Sequence, residues 1–416
     1  MPIMKELCRG LIYGWRQWIA LSALLLFPGC LVNQIGGAFT QQPEDLEQKA
    51  SITTKNIIDQ AFAGIDPVRL VDFHTHVLAI GTSVKDAFVN PKARSGINLE
   101  RLKFLIYTSA SDVKNIDNTD QEYLARLVRV ARASKGKYRI LAFDKHYKPD
   151  GTVDLSNTYM YVPNNYIVEL ARQYSDIFLP VISLHPYRRD AVEELDKWAK
   201  AGVKYIKWLP NAMGMDPADR AIEPFYRKMK EHDIILLSHG GKEQAVEAEE
   251  DQELGNPLRL RKPLDMGVRV IVAHAASLGS CKDLDRVGGK KADCFDLFLR
   301  LMDEAKYRGL VFGEVSAMLQ FNRMPGPFST LLKRQDLHPR LVNGSDYPLP
   351  AINALIRTRS LVSDGFITSE ERSALNEIYD FNPLLFDFVL KRTMRHPETK
   401  QKLAPSVFME NPGLEK

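Results

Sequence analysis

The chain is poor in several features that would give it a specialised role. Its 416 residues include only 4 cysteines, and nothing in their spacing suggests a metal site. There is no long Lys/Arg block and no basic stripe interleaved with aromatics. With a formal net charge of +4 over this length, a nucleic-acid partner is not expected. The longest apolar stretch falls short of the roughly 20 residues that span a bilayer. No glycine-rich phosphate turn appears, which removes the main support for a doubly wound open sheet. What is present is 45% hydrophobic and 26% charged residues, an ordinary globular composition with ample chain for a large core.

The N-terminus differs from the rest. Lys5, Arg9 and Arg16 precede the apolar stretch Trp18 to Phe27, and Pro28, Gly29 and Cys30 follow. This order predicts an export segment over residues 1–30, a secretory signal that is of the lipoprotein kind if Cys30 carries lipid; the alternative is an uncleaved membrane anchor. Phe27 and Pro28 depart from the small or aliphatic residues usual before a lipidated cysteine. The expected location is periplasmic or membrane-anchored, with membrane contact only through this segment or its lipid. Residues 31–55 are polar and Gln/Glu-rich and read as a tether. In an oxidising compartment Cys281 and Cys294 could pair, although spacing alone does not show it.

From Val68 onward one unit recurs: a short aliphatic run ending in polar residues, then a helical segment. The runs are Val68–Phe73, Tyr138–Phe143, Ile177–Leu184, Val203–Ile206, Ile234–Leu237, Val268–Ala273, Leu310–Phe312 and Leu341–Val342. Eight strands alternating with helices predict an α/β fold, a (β/α)₈ TIM barrel over residues 56–395. About 60 residues before Tyr138 form an insertion after strand one, over the barrel mouth. Within it Leu102–Tyr107 is expected as an extra strand and Glu122–Ser134 as a helix. Residues 396–416 are expected to be a loose C-terminal tail.

Six of the nine histidines, His74, His76, His146, His185, His239 and His274, fall at or just past a strand end. In a barrel that end carries the active site. His74 and His76 are two apart on a strand, so both side chains face one side. Neutral imidazoles so placed suit zinc and similar divalent ions.

The motifs then become specific. Asp72-Phe73-His74-Thr75-His76 resembles the strand-one His-x-His of the amidohydrolase superfamily. His239 in Leu237-Ser238-His239-Gly240-Gly241, His274 in Val272-Ala273-His274-Ala275-Ala276 and Asp346 in Gly344-Ser345-Asp346-Tyr347-Pro348 match its strand-five, strand-six and strand-eight positions. Leu184-His185-Pro186 and the Lys207 segment resemble the amidohydrolase-related subgroup that mixes lactonases, decarboxylases and hydratases. The resemblance implies His74, His76, His239 and Asp346 as metal ligands, and Asp346 and His274 as catalytic residues. Asp346 would move the proton of the attacking water. His274 would bind the water or the substrate oxygen, or else orient another ligand. Lys207 would either be carboxylated and bridge two metals or bind substrate beside a single one, with one zinc-like ion per chain favoured. His185 and Glu314 are further candidates for substrate contact or ligand orientation.

Three readings follow. The first is a metal-dependent hydrolase of a small-molecule ester, lactone or amide. The second is a metal-dependent decarboxylase or hydratase acting on a carboxylated substrate. The third is an exported metal-binding barrel without activity, which predicts a missing ligand or base, and none is missing.

Overall fold

The computed structural model describes residues 41–414 apart from Glu247. The expected export segment, Cys30 included, and tether residues 31–40 lie outside the described residues. Among the described residues no helix is long and apolar enough to cross a membrane.

All eight expected runs form parallel strands at the barrel core: β1 Val71–His76, β2 Lys137–Leu141, β3 Phe178–Val181, β4 Tyr205–Trp208, β5 Ile235–His239, β6 Val270–Ala273, β7 Val311–Glu314 and β8 Leu341–Val342. Strands β1–β3 make one parallel sheet and β4–β8 another, each in sequential order. A parallel bridge between Ile182 and Ile206 joins them on one side. On the other side Phe73 N–H donates to the Asn343 carbonyl at 2.9 Å and His76 N–H to the Tyr347 carbonyl at 3.1 Å. The fold is the (β/α)₈ TIM barrel.

Strand parity divides the core. Val71, Phe73, Leu141, Val181, Ile235, Leu237, Ile271 and Phe312 form one apolar cluster inside the strands. Their neighbours Ile140, Ile206, Leu236, Val270, Val272 and Val311 join the cluster that packs the helices. Those helices include α1 Ile52–Phe62 ahead of β1, and α2 Leu99–Ala110 and α3 Thr119–Ser134 in the insertion. Next come α4 Asn164–Gln173, α5 Ala191–Lys200, α6 Glu223–Glu231, α7 Cys294–Asp303 and α8 Gly326–Lys333, each between consecutive strands. Finally α9 Ser369–Phe381 and α10 Pro383–Thr393 follow β8. Cys281 and Cys294 are joined in a disulfide.

Three expectations are corrected. Leu102–Tyr107 is not a strand but the middle of α2. Asn98 caps that helix by accepting from Arg101 N–H at 2.8 Å, and Leu99, Leu102, Leu105 and Ile106 recur at helical spacing. The tether is ordered from residue 41. Leu46, Ala50, Ile57 and Ala61 are buried, and Ser51 and Thr54 donate hydroxyls to Glu377 of α9 at 2.7 and 2.5 Å. The tail is packed as well: Val407, Phe408 and Leu414 are buried, Asn343 N–H donates to the Val407 carbonyl at 2.8 Å, and Arg269 donates to the Leu414 carbonyl at 2.7 Å. The tail buries isolated apolar residues without a periodic pattern, so its sequence reads as a loop, whereas the tether buries few residues, at helical spacing but among many polar ones.

Candidate metal centre

The strand ends of β1, β4, β5, β6 and β8 converge on one cavity, with the end of β7 behind its wall. On β1 the register slips between Asp72 and Thr75, a bulge that changes which side chains face inward. Phe73 therefore fills the interior, while His74 and His76 both line the cavity. Beyond β8, Asp346 adopts a left-handed backbone with φ 60° and is pinned by its N–H donating to the His74 carbonyl at 2.7 Å. His274, Ala275 and Ala276 are likewise left-handed, at φ 57°, 48° and 49°. Such strain in non-glycine residues persists only where the surroundings enforce it, commonly at functional sites. Gly344 is glycine for space: a Cβ there would meet His74 Cβ at 2.7 Å and crowd Glu314. Beneath this turn the buried Lys391 donates to the Gly344 carbonyl at 2.7 Å and pairs with Asp387 at 2.6 Å.

The central trio is tight. His74 Nε2 and His76 Nε2 lie 3.2 Å apart, at 3.4 and 3.1 Å from Asp346 Oδ1. The other ring nitrogen of His74, Nδ1, donates to Glu314 Oε2 at 3.1 Å, which leaves a lone pair on Nε2. Two imidazole nitrogens facing each other across a carboxylate repel unless a proton or a cation lies among them. Burial keeps His74 neutral by lowering its pKa. Burial alone would raise Asp346, but the imidazoles of His74, His274 and His76 hold it well below the usual carboxylate range. The donor set of two imidazole nitrogens and one ionised carboxylate oxygen suits a divalent ion.

His239 and Lys207 line the same cavity. The Nδ1 of His239 faces Glu243 Oε2 at 3.3 Å, while its buried Nε2 has no hydrogen-bond partner. His239 lies outside the tight trio, but its unpartnered nitrogen is the donor such an ion would need. The Lys207 ammonium is buried without a hydrogen-bond partner, and burial lowers its pKa to about 8. His274 Nδ1 donates to Ser316 Oγ at 2.8 Å, and that hydroxyl donates to Glu314 Oε2 at 2.7 Å. The relay fixes the proton on Nδ1 and leaves Nε2 an acceptor. His274 thus accepts a hydrogen bond in its neutral form, the form that burial favours.

Glu314 lies behind the cavity wall rather than in it. Burial pushes its carboxyl up, but the His74 ring and the Ser316 hydroxyl pull it below its ordinary range. His185 is not brought into the cavity: Nε2 donates to the Met213 carbonyl at 2.8 Å and Nδ1 accepts from Tyr187 N–H at 3.1 Å. Both nitrogens are satisfied in the neutral ring, which burial favours further, lowering its pKa to about 3. His146 packs against Gly214, away from the trio.

The insertion roofs the cavity. Phe104 and Tyr107 of α2 line it, and the Tyr107 hydroxyl donates to the Ala245 carbonyl in the loop after β5 at 3.0 Å. Two cavity residues, Gln320 and Arg323, are not predicted by any sequence motif. They sit in an irregular turn after β7, and only the buried position of an arginine and an amide reveals them.

The family model described as Amidohydrolase matches residues 71–351, the whole span that carries the trio. The chain belongs to the amidohydrolase family. No curated protein matches it. Among solved structures it is similar to an uncharacterised TIM-barrel protein from Bordetella bronchiseptica, at 16% identity and a TM-score of 0.46, over 74% of this chain and 94% of that one. It is similar to 5-carboxyvanillate decarboxylase from Sphingomonas paucimobilis, at 7% identity and a TM-score of 0.46, over 75% and 96% of the two chains. For 4-oxalomesaconate hydratase from Rhodopseudomonas palustris the identity is 14% and the TM-score 0.42, over 74% and 95%. Membership makes the chain an amidohydrolase-superfamily enzyme. Its residues His74, His76, Asp346 and His239 fit the divalent metal typical of that family.

Proposed function

We propose that the chain is a metal-dependent hydrolase that opens a small-molecule ester, lactone or amide, with one zinc-like ion held by His74, His76, His239 and Asp346. The observation that carries this reading is the convergence of His74 Nε2, His76 Nε2 and Asp346 Oδ1 within 3.4 Å of one another, with the other nitrogen of His74 committed to Glu314. Bound there, a divalent ion supplies Lewis acidity and brings the pKa of water to roughly 7.

The chain's own residues do the rest. Asp346 takes the proton of the attacking water and delivers it to the leaving group. His274, its Nδ1 held by Ser316, presents Nε2 to accept a hydrogen bond from that water and orient it. Glu314 fixes the ring of His74, and through Ser316 that of His274. The α2 roof limits entry of bulk water.

A lyase reading, decarboxylation or hydration of a carboxylated substrate, draws support from one feature. Lys207 is a buried ammonium at the cavity wall without a partner, which suits a substrate carboxylate. Product analysis on a panel of lactones, esters, amides and aromatic acids tests the choice. Release of an alcohol, amine or ring-opened acid supports hydrolysis. Release of carbon dioxide, or water addition without cleavage, replaces it with the lyase reading. Export is supported by the Cys281–Cys294 disulfide, a bond that persists in oxidising compartments.

A further inference from the structure

Arg323 lines the cavity from the turn after β7, and only 8% of it is exposed. Its Nη1 donates to Ser277 Oγ at 3.1 Å and its buried Nε has no partner. Asp346, Glu243 and Glu314 act on it only at longer range, and none forms an ion pair with it. The partly exposed arginines are treated differently: Arg300 has Asp283 and Asp285, and Arg334 has Asp303 and Asp336. A guanidinium withdrawn from water without a directly paired counter-ion is unfavourable, and one at a cavity wall is available to an arriving anion.

A second donor points the same way. Gln320, on the same turn, lines the cavity with 7% exposure, and its Nε2 is buried without a partner. The turn is rigid, because Arg323 N–H and Met324 N–H both donate to the Gln320 carbonyl, at 2.9 and 3.0 Å. The neighbouring walls are apolar and largely aromatic, with Phe104, Tyr107, Phe143 and Tyr159. An anionic group would satisfy the turn, and a flat or apolar body would fit the walls.

We propose that Arg323 and Gln320 form a carboxylate-binding subsite that anchors an aromatic or similarly apolar carboxylic acid, through a group other than the one attacked. The fork of Arg323 suits a carboxylate, accepting two N–H donors at once. The inference rests on the proposed reading of this cavity as the substrate site, but its evidence does not depend on a metal.

The test is binding of benzoate and of its uncharged counterpart benzamide to the full chain, by calorimetry, with zinc content measured on the same preparations. Benzoate binds the wild-type chain more tightly than benzamide does. Arg323→Met lowers benzoate affinity about 10- to 100-fold, the range for charge-assisted hydrogen bonds, and leaves zinc content unchanged. Gln320→Leu lowers it a few-fold. Arg323→Lys, which keeps the charge without the fork, retains part of the affinity and serves if the methionine variant fails to fold. Benzoate affinity that ignores both Arg323 substitutions and follows zinc content places the carboxylate on the metal and overturns the subsite. Equal binding of benzamide overturns it too. Absence of zinc with benzoate binding still dependent on Arg323 overturns the metal reading and leaves the subsite standing.

Discussion

The two ends of the barrel obey different rules. At the N-terminal end of the strands the tail supplies hydrogen-bond partners and apolar cover. The tail returns to seal it: Leu414 enters the interior apolar cluster, Arg269 caps the Leu414 carbonyl, and Asn411 donates to the Pro339 carbonyl at 3.0 Å. At the C-terminal end the chain leaves buried groups unpaired, namely His239 Nε2, Lys207 Nζ, Arg323 Nε and Gln320 Nε2, and holds four residues of β6 and β8 turns in left-handed backbone. Similar burial thus serves stability at one end and keeps binding groups available at the other. Barrels divide their labour in this way, and local rules tend to be broken where function sits.

The comparison can be broken from either end. The largest effect is expected at the mouth. Asp346→Ala removes both a ligand and the proton carrier, and activity on whichever substrate is found falls by at least about a thousand-fold, while the unfolding midpoint in denaturant changes little. A variant that unfolds but turns over normally when folded would reverse the assignment of the two ends. At the opposite end, Leu414→Ala costs about 2–4 kcal/mol of stability by emptying a packed site. It leaves metal content and kcat of the folded fraction unchanged, as read by urea unfolding and metal analysis. Behind the mouth, Glu314→Gln keeps the shape but weakens the orientation of His74, and metal affinity falls about 10- to 100-fold in a chelator competition. An unchanged affinity would make Glu314 a packing residue only.

The most gradual effect is a pH dependence at the mouth end but outside the cavity. The buried His185 has a pKa of about 3 against an ordinary 6.5. Between these values the unfolded chain binds a proton that the folded chain does not, so stability falls as pH drops from about 6.5 toward 3. The slope from this group is at most about 1.4 kcal/mol per pH unit. His185→Gln should remove that part of the slope. An identical pH profile in the variant would show that His185 is not the buried group being protonated.

Much of this was legible in the sequence. The eight strands announce themselves because parallel strands buried on both faces read as continuous β-branched runs. The histidine pair is legible because strand one repeats histidine at the strand period, and Asp346 through its resemblance to the strand-eight aspartate of the family. Position along the chain also placed His185 correctly at a strand end, but not its chemistry, since the Met213 carbonyl that takes its Nε2 proton comes from the loop after the next strand. Arg323 and Gln320 were not legible: their turn carries no motif, and their meaning lies in the partners they lack. The tail was misread because Val407, Phe408 and Leu414 are spaced irregularly among prolines and lysines, and only the barrel floor gives them a common surface. The helix α2 shows a different failure, since six of its residues sampled alone resemble a strand and only Asn98 and the full apolar spacing identify the helix.

The most direct test of the central claim is the number of metal ions bound per chain, measured by mass spectrometry on the folded full-length protein after growth with zinc. The account predicts one ion, lost in His74→Ala. A folded protein without bound metal would contradict it.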